Sequence, residues 1–296
     1  MSGPIFVMGG TGLLGRAVAA ELTLRGRAHI APSRADFDLA DVASIPARID
    51  AYGPSGLLNL SGFTDVGAAE RPENLAMATV LNATLPGALA AHCARRGIPF
   101  VHVSTDYVFD GAKRTPYLET DAVHPLQVYG VTKLAGEEAA VAANPGVLIL
   151  RVSTLYGPGR AHRPAYVDAI LKQARAHAAA GGGTLSVVEP PVSSPTYAPD
   201  VAPVLIDLFD RGVTGIVHTV NDGAASRLEL ATTAVALAGL TDRVKVVARP
   251  EPPNTLARPA YSVLDTSKLL ALLGRTLPRW EDGLARYIRE MSRVEG

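Results

Sequence analysis

Short runs in which nearly every position is apolar alternate along this chain with longer runs in which apolar positions recur at helical spacing. Residues 5–8 are followed by 13–24, residues 57–60 by 75–94, and residues 100–103 by 128–142, after which Val147-Leu148-Ile149-Leu150 supplies another apolar run. The short runs read as strands and the long ones as amphipathic helices. A further strand is expected at about 28–31, before the second long gap. Strands that are apolar on both faces must be buried on both, so the pattern predicts an α/β chain built on a doubly wound parallel sheet.

Beyond residue 150 the regularity weakens, because Gly157, Pro158, Gly159 and Pro164 interrupt it. Helices are predicted over 166–179, 199–210, 226–238, 267–273 and 280–292, with short strands at 185–188 and 215–220. The small-residue stretch 178–183 is too short for a domain linker and reads as a helix end. No internal repeat is visible.

Composition narrows the classes. The chain has 296 residues, 48% hydrophobic and 19% charged, which supports an ample core and no bulk disorder. The 28 basic residues balance 28 acidic ones, so no overall field draws nucleic acid or an anionic membrane, and neither is expected as a partner. The single cysteine, Cys93, excludes an intrachain disulfide and reads as a small buried thiol. The first apolar stretch breaks at Gly9 and Gly10, too early for a signal peptide, and no apolar run approaches the roughly 20 residues of a bilayer helix. A cytoplasmic protein is expected. None of the seven histidines forms a ligand cluster, so no metal is expected.

Directly after the first strand stands Gly9-Gly10-Thr11-Gly12-Leu13-Leu14-Gly15, opening a helix. Gly9, Gly12 and Gly15 suit a tight turn, close approach of backbone to a pyrophosphate, and close packing of helix on strand, with Thr11 and Leu13 in the same loop. Residues 1–155 are therefore read as a dinucleotide-binding domain, with the chain crossing back at about 190–225, and residues 156–296 as mainly its smaller companion. At the end of the second strand an acid would favour NAD. Pro32-Ser33-Arg34 stands there instead, and an arginine neutralises a 2′-phosphate, so NADPH is expected, with NADH as the alternative. Asp38 and Leu39 follow where a short acidic turn can approach the adenine edge.

After the strand at 100–103 come Ser104-Thr105-Asp106-Tyr107, and Tyr129-Gly130-Val131-Thr132-Lys133 follows 24 residues past Thr105. Reduction of a carbonyl needs a proton at the new alkoxide. Tyr129, one helical turn before Lys133, can give that proton because the ammonium favours the phenolate, and the Thr105 hydroxyl can bond the carbonyl.

The order of glycine loop, Ser104-Thr105-Asp106, Tyr129 and Lys133 resembles the extended short-chain dehydrogenase/reductase superfamily. The stretch from Ser104 to Gly111, Pro116-Tyr117-Leu118-Glu119, the run from Tyr129 to Glu137, Ser194-Pro195-Thr196-Tyr197 with Asp200-Val201-Ala202, and the run from Arg258 to Leu269 resemble the dTDP-4-dehydrorhamnose reductase family over nearly the whole chain. The resemblance implies a Rossmann-type sheet with a smaller C-terminal α+β substrate-binding domain. It implies reduction by NAD(P)H of the C4 ketone of a nucleotide-linked 6-deoxy-hexosulose, with dTDP as the nucleotide. Thr105 would tune proton transfer, Tyr129 donate the proton, Lys133 hold the cofactor ribose, and Asp106 touch the sugar. Ser61, Gly62 and Phe63 would lie along the cofactor, and Arg258 would meet the diphosphate. A homodimer is compatible with the same resemblance.

Two positions depart from the family pattern. Thr154 stands where a tryptophan is usual, which changes the volume of the sugar pocket, and Gly67 replaces a frequent acid. Two alternatives remain open. A nucleotide-sugar epimerase or dehydratase shares the fold, although dehydratases follow the active threonine with Asp-Glu, whereas Tyr107 follows Asp106 here. A non-catalytic regulatory subunit also shares it, but has no chemical need for Thr105, Tyr129 and Lys133 together.

Overall fold

The computed structural model describes residues 3–33, 35–159, 165–189, 191–252 and 255–295. Its first half runs β1 (Ile5–Met8), α1 (Leu13–Leu24), β2 (His29–Ile30), α2 (Ile45–Asp50), β3 (Gly56–Asn59), α3 (Val66–Ala69), α4 (Pro72–Thr79), α5 (Leu85–Arg96), β4 (Phe100–Thr105), α6 (Val128–Ala143) and β5 (Leu148–Val152). The second half runs β6 (Leu155–Tyr156), α7 (Tyr166–Ala179), β7 (Gly183–Glu189), β8 (Val192–Ser193), β9 (Thr196–Tyr197), α8 (Ala198–Asp210), β10 (Gly215–His218), β11 (Ala225–Ser226), α9 (Arg227–Leu237), β12 (Val244–Pro250), α10 (Ser267–Leu273) and α11 (Trp280–Glu295).

Six strands form one parallel sheet in the order β10-β5-β4-β3-β1-β2. One face is covered by α1 and α8, whose Leu14, Val18, Val201, Leu205 and Leu208 pack on Val7, Leu58, Val101 and Leu150 of the strands. On the other face Leu85, Leu89 and Cys93 of α5 pack on Phe6, Leu57, Phe100 and Ile149. Both faces are buried, as the apolar strand runs require. The late arrival of α8 and β10 on this sheet is the return of the chain to its first half. A second core, built by α7, α9 and α11, holds Ile170, Leu171, Ala231, Val235 and Leu284 with the strand pair β7 and β12.

Several elements escape the periodicity. The run Val244–Pro250 forms β12 and pairs in parallel with all of β7, although its outer positions are exposed; its pattern lacks a continuous apolar stretch. The helix expected over 75–94 begins at Pro72 and ends at Arg96, and carries a π-helical turn, Val80–Thr84, between α4 and α5. That 25-residue helix is, by length and composition alone, long and apolar enough to cross a membrane, which corrects the expectation that no such segment exists. Its Leu85, Leu89, Ala90 and Cys93 are fully buried against the sheet, the position of a core helix in an α/β layer.

Candidate active site

The glycine cradle forms where β1 ends. Gly9 has φ +80°, and a Cβ on it would lie 2.7 Å from the backbone nitrogen of Ser61; a Cβ on Gly15 would run into the Gly9 carbonyl. Helix α1 starts at Gly12, which provides no side-chain cap, and no acid stands in its first turn. The Gly12 N–H closes the turn on the Gly9 carbonyl at 2.9 Å, and the positive end of the helix dipole is presented at exposed Thr11 and at Leu13, which is 9% exposed. The cradle lies beside β1, between β2 and β3, where the connections of the sheet diverge and leave a crevice at the strand ends. The Arg16 Nε donates to the Thr11 carbonyl at 3.0 Å and adds a cation beside the loop that spacing alone did not single out.

At the end of β2 the Ser33 backbone N–H and hydroxyl both donate to the Asp36 carboxylate, at 2.9 and 2.7 Å. Arg34 lies outside the described residues. Asp38 is exposed and accepts the Ala40 N–H at 3.0 Å, and Leu39 packs against the Phe6 and Phe37 cluster, so this segment closes a turn at the crevice. After β3, Ser61 donates its N–H and hydroxyl to Asn59 Oδ1 at 3.2 and 2.6 Å. Phe63 is clamped through its main chain: its N–H donates to Asn82 Oδ1 at 2.8 Å and its carbonyl accepts from Asn82 Nδ2 at 3.1 Å. Gly62 is held in the same clamp, since a Cβ there would lie 2.9 Å from Asn82 Oδ1. Asn82, on the π-helical turn, also donates to Thr132 Oγ1 at 3.1 Å, linking the loop to α6. Nothing in the apolar periodicity marked Asn82.

Thr105 ends β4 and Tyr129 opens α6. Gly130 has no room for a side chain because the Tyr107 carbonyl packs against it, and the Tyr107 and Tyr129 rings meet edge to face with centroids 5.8 Å apart. Lys133 is 4% exposed; its Nζ donates to the Val103 carbonyl at 2.6 Å and lies 3.3 Å from His102 Nε2. Burial lowers its pKa to about 8, with Glu137 pulling the other way. The two side chains share one face of α6, above the end of β4 that carries Thr105.

Asp106, expected to touch the sugar, is held by three hydroxyls. It is 4% exposed, its Oδ1 accepts from Thr105 Oγ1 at 3.0 Å, and its Oδ2 accepts from Ser153 and Ser262 at 2.8 and 2.6 Å. Burial pushes its carboxyl above the usual range, against those three hydroxyls. The carboxylate therefore fastens together the end of β4, the β5–β6 turn and the C-terminal segment. Within the same turn Thr154 has φ +39°, a left-handed conformation costly for a β-branched residue, held by a 2.8 Å contact of its hydroxyl with Ser193 Oγ. Arg258 reaches the Tyr107 hydroxyl, and Arg227 adds a second cation toward it, a residue the sequence reading passed over. Among the described residues no group of three or more His, Cys, Asp or Glu converges to hold a metal.

Comparison with known proteins places this geometry. The RmlD substrate binding domain family matches residues 3–293. A dTDP-4-dehydrorhamnose reductase of Mycobacterium tuberculosis is 37% identical over 288 residues, covering 95% of this chain and 91% of the relative. A dTDP-4-keto-6-deoxy-D-glucose reductase of Streptomyces niveus is 34% identical over 263 residues, 87% of each chain. Among solved structures, the dTDP-4-dehydrorhamnose reductase of Bacillus anthracis in complex with NADP is 26% identical with a TM-score of 0.88, covering 98% of this chain and 100% of that one.

Proposed function

The chain belongs to the dTDP-4-dehydrorhamnose reductase family, matching its RmlD substrate binding domain almost from end to end, and on that premise we propose that it reduces the C4 ketone of a dTDP-linked 6-deoxy-hexosulose with NADPH. The observation that carries the reading is the uncapped glycine cradle at the end of β1, in the same parallel sheet whose β4 ends at Thr105 and holds Lys133 through the Val103 carbonyl. The cradle fits the group: Gly9 and Gly15 permit a backbone packing that a Cβ at either would break, and the helix start offers its positive end with no acid to oppose a pyrophosphate. When bound, NADPH supplies the hydride.

Gly9, Thr11, Gly12, Leu13 and Gly15 would hold the pyrophosphate, and Ser33, Arg34, Asp38 and Leu39 would flank the adenosine. Ser61, Gly62 and Phe63, fixed by Asn59 and Asn82, would line the cofactor. The Thr105 hydroxyl, turned from Asp106 Oδ1, would donate to the C4 oxygen, and Tyr129 would deliver the proton that the oxygen needs. Lys133 would hold the ribose and favour the tyrosinate left behind. Arg258, with Arg227, would meet the diphosphate, and Thr154 would shape the sugar pocket. Residues 1–155 with the returning segment at about 190–225 would carry the cofactor, and 156–296 most of the sugar nucleotide. A cytoplasmic homodimer completes the reading; exposed Leu75, Leu126 and Val131 along the groove between α4 and α6 support the second copy, and light scattering tests it.

The test of function is loss of NADPH or NADH absorbance with dTDP-4-keto-6-deoxyglucose, with and without the 3,5-epimerase. Turnover only with the epimerase assigns the rhamnose precursor as substrate, and turnover without it assigns another deoxysugar. Tyr129→Phe should lower kcat by about 10²–10⁴-fold. A loss within a few-fold would remove Tyr129 as proton donor.

A further inference from the structure

His102 lies on β4 three residues before Thr105 and has no exposed surface. A buried imidazole in a parallel sheet needs partners for its nitrogens, and here their chemistry fixes the ring. Asn59, its register neighbour on β3, has its Oδ1 taken by the Ser61 N–H and hydroxyl. That orients the amide, so the atom 3.2 Å from His102 Nδ1 is Asn59 Nδ2, a donor without a lone pair. With that amide donating at 3.2 Å, His102 Nδ1 accepts and the neutral ring carries its proton on Nε2, the Asn59 backbone carbonyl beside the ring being the acceptor that the opposite tautomer would use. That proton faces Lys133 Nζ at 3.3 Å, while Nζ itself donates to the Val103 carbonyl. An ammonium has no lone pair to receive it; an amine does.

We propose that His102 is a positioning residue for Lys133: it donates its Nε2–H to the lysine nitrogen, stabilises the amine, and so poises Lys133 to take and return a proton beside Tyr129. Burial acts in the same sense, holding the lysine near 8 and the ring well below the ordinary histidine range. The groups around the pair are Tyr129 and Glu137 on α6, Arg151 of β5 bound to Glu137, Glu70 at the start of α6, and His218 of β10 beside Arg151. Asn59 and Asn82 face the same layer without charge. The chain from Ser61 through Asn59 and His102 to Lys133 ties the cofactor-lining loop to the lysine.

The inference rests on the proposed role of Lys133 for its kinetic consequence only, and two measurements separate the two. The first is a two-bond ¹H–¹⁵N correlation spectrum of the full-length protein labelled with ¹⁵N-histidine, the His102 signals being assigned by their loss in His102→Gln. A neutral Nε2–H tautomer at about pH 9, where Lys133 is an amine, is expected; an Nδ1–H tautomer at that pH, or a ring that titrates between about pH 6 and about pH 9, overturns the proposal. The second is the pH profile of kcat. Leucine cannot donate to Nζ, so His102→Leu should move the basic limb upward by about half a pH unit or more with KM within about two-fold, and His102→Gln, whose amide can donate, should bring it back. A limb that stays put in His102→Leu overturns the proposal. If the parent turns over no dTDP-keto-sugar, the functional reading fails, while the tautomer measurement still decides the role of His102.

Discussion

The two faces of the central sheet are made from the same strands and do opposite things. Toward α1 and α8, side chains stay apolar to the strand ends: Val7, Leu58, Val101, Val103, Leu150, Val152 and Val217. Toward α5 and α6, the strands begin apolar with Leu57, Phe100, Ile149 and Ile216 and then change character to Asn59, His102, Ser104, Arg151 and His218. Registers place Asn59 beside His102, Ser104 beside Arg151 and Arg151 beside His218, so the polar side chains form a continuous buried seam across four strands. Lys133 and Glu137 of α6 close it from above, Glu137 as a bidentate partner of Arg151 at 3.0 and 2.7 Å. One face supplies stability by area. The other spends stability to hold charge and protons where strands of an α/β sheet meet their ligands.

The sharpest test of that contrast is to break the Arg151–Glu137 pair, each partner 3% exposed. Glu137→Leu leaves a buried guanidinium uncompensated and should cost about 3–5 kcal/mol in urea unfolding, whereas adding Arg151→Met should recover most of it. If the double variant is as unstable as the single one, the seam contributes stability as the apolar face does and the contrast fails.

Acid should act on the polar face next. Burial holds His218 down at about 3 and His102 well below 6.5, so both stay neutral in the fold while the unfolded chain takes up protons. With folded pKa values below the unfolded ones, stability is unaffected above pH 6.5 and declines as pH falls from there toward about 3. Each histidine adds a slope of up to about 1.4 kcal/mol per pH unit. Denaturation midpoints across that window for the parent and His218→Phe check it; equal slopes would remove His218 from the balance.

The smallest expected change has the opposite sign. Lys133 has its folded pKa lowered to about 8, so its cost to the fold is fully present below that pH and fades as pH rises toward 10.5. Lys133→Met should therefore raise stability near neutral pH by about 1 kcal/mol while lowering kcat by two orders of magnitude or more, on the order of a lost general-acid partner. A destabilised Lys133→Met would mean that the stem and its bond to Val103 matter more than the buried charge.

Much of this was legible in the chain. The spans of β1, α1, α7 and α10 follow from apolar periodicity and glycine or proline punctuation, because each element buries a local stripe of its own residues. Gly9 to Gly15, and Tyr129 with Lys133, could be picked out because each set lies within one turn or one helix, whereas Thr105, on the end of β4, was joined to them by resemblance. Asn82 and Ser262 could not, since their partners, Phe63 and Asp106, lie 19 and 156 residues away. The sugar contact expected of Asp106 comes from resemblance alone, and the fold adds that its oxygens accept from Thr105, Ser153 and Ser262. His102 and Asn59 did leave a trace, as polar residues inside otherwise apolar strand runs, but a strand alone does not say which face they join.

The sequence by itself determined the layer order, the glycine turn and the one-turn spacing of Tyr129 and Lys133 on α6, all set by local spacing and backbone sterics. Only the tertiary structure decided that the polar strand residues share one face and that Asp106 binds three hydroxyls. It also decided that the Lys133 nitrogen sits against an imidazole, because strand register and the return of α8 and β10 bring together residues that no local rule connects.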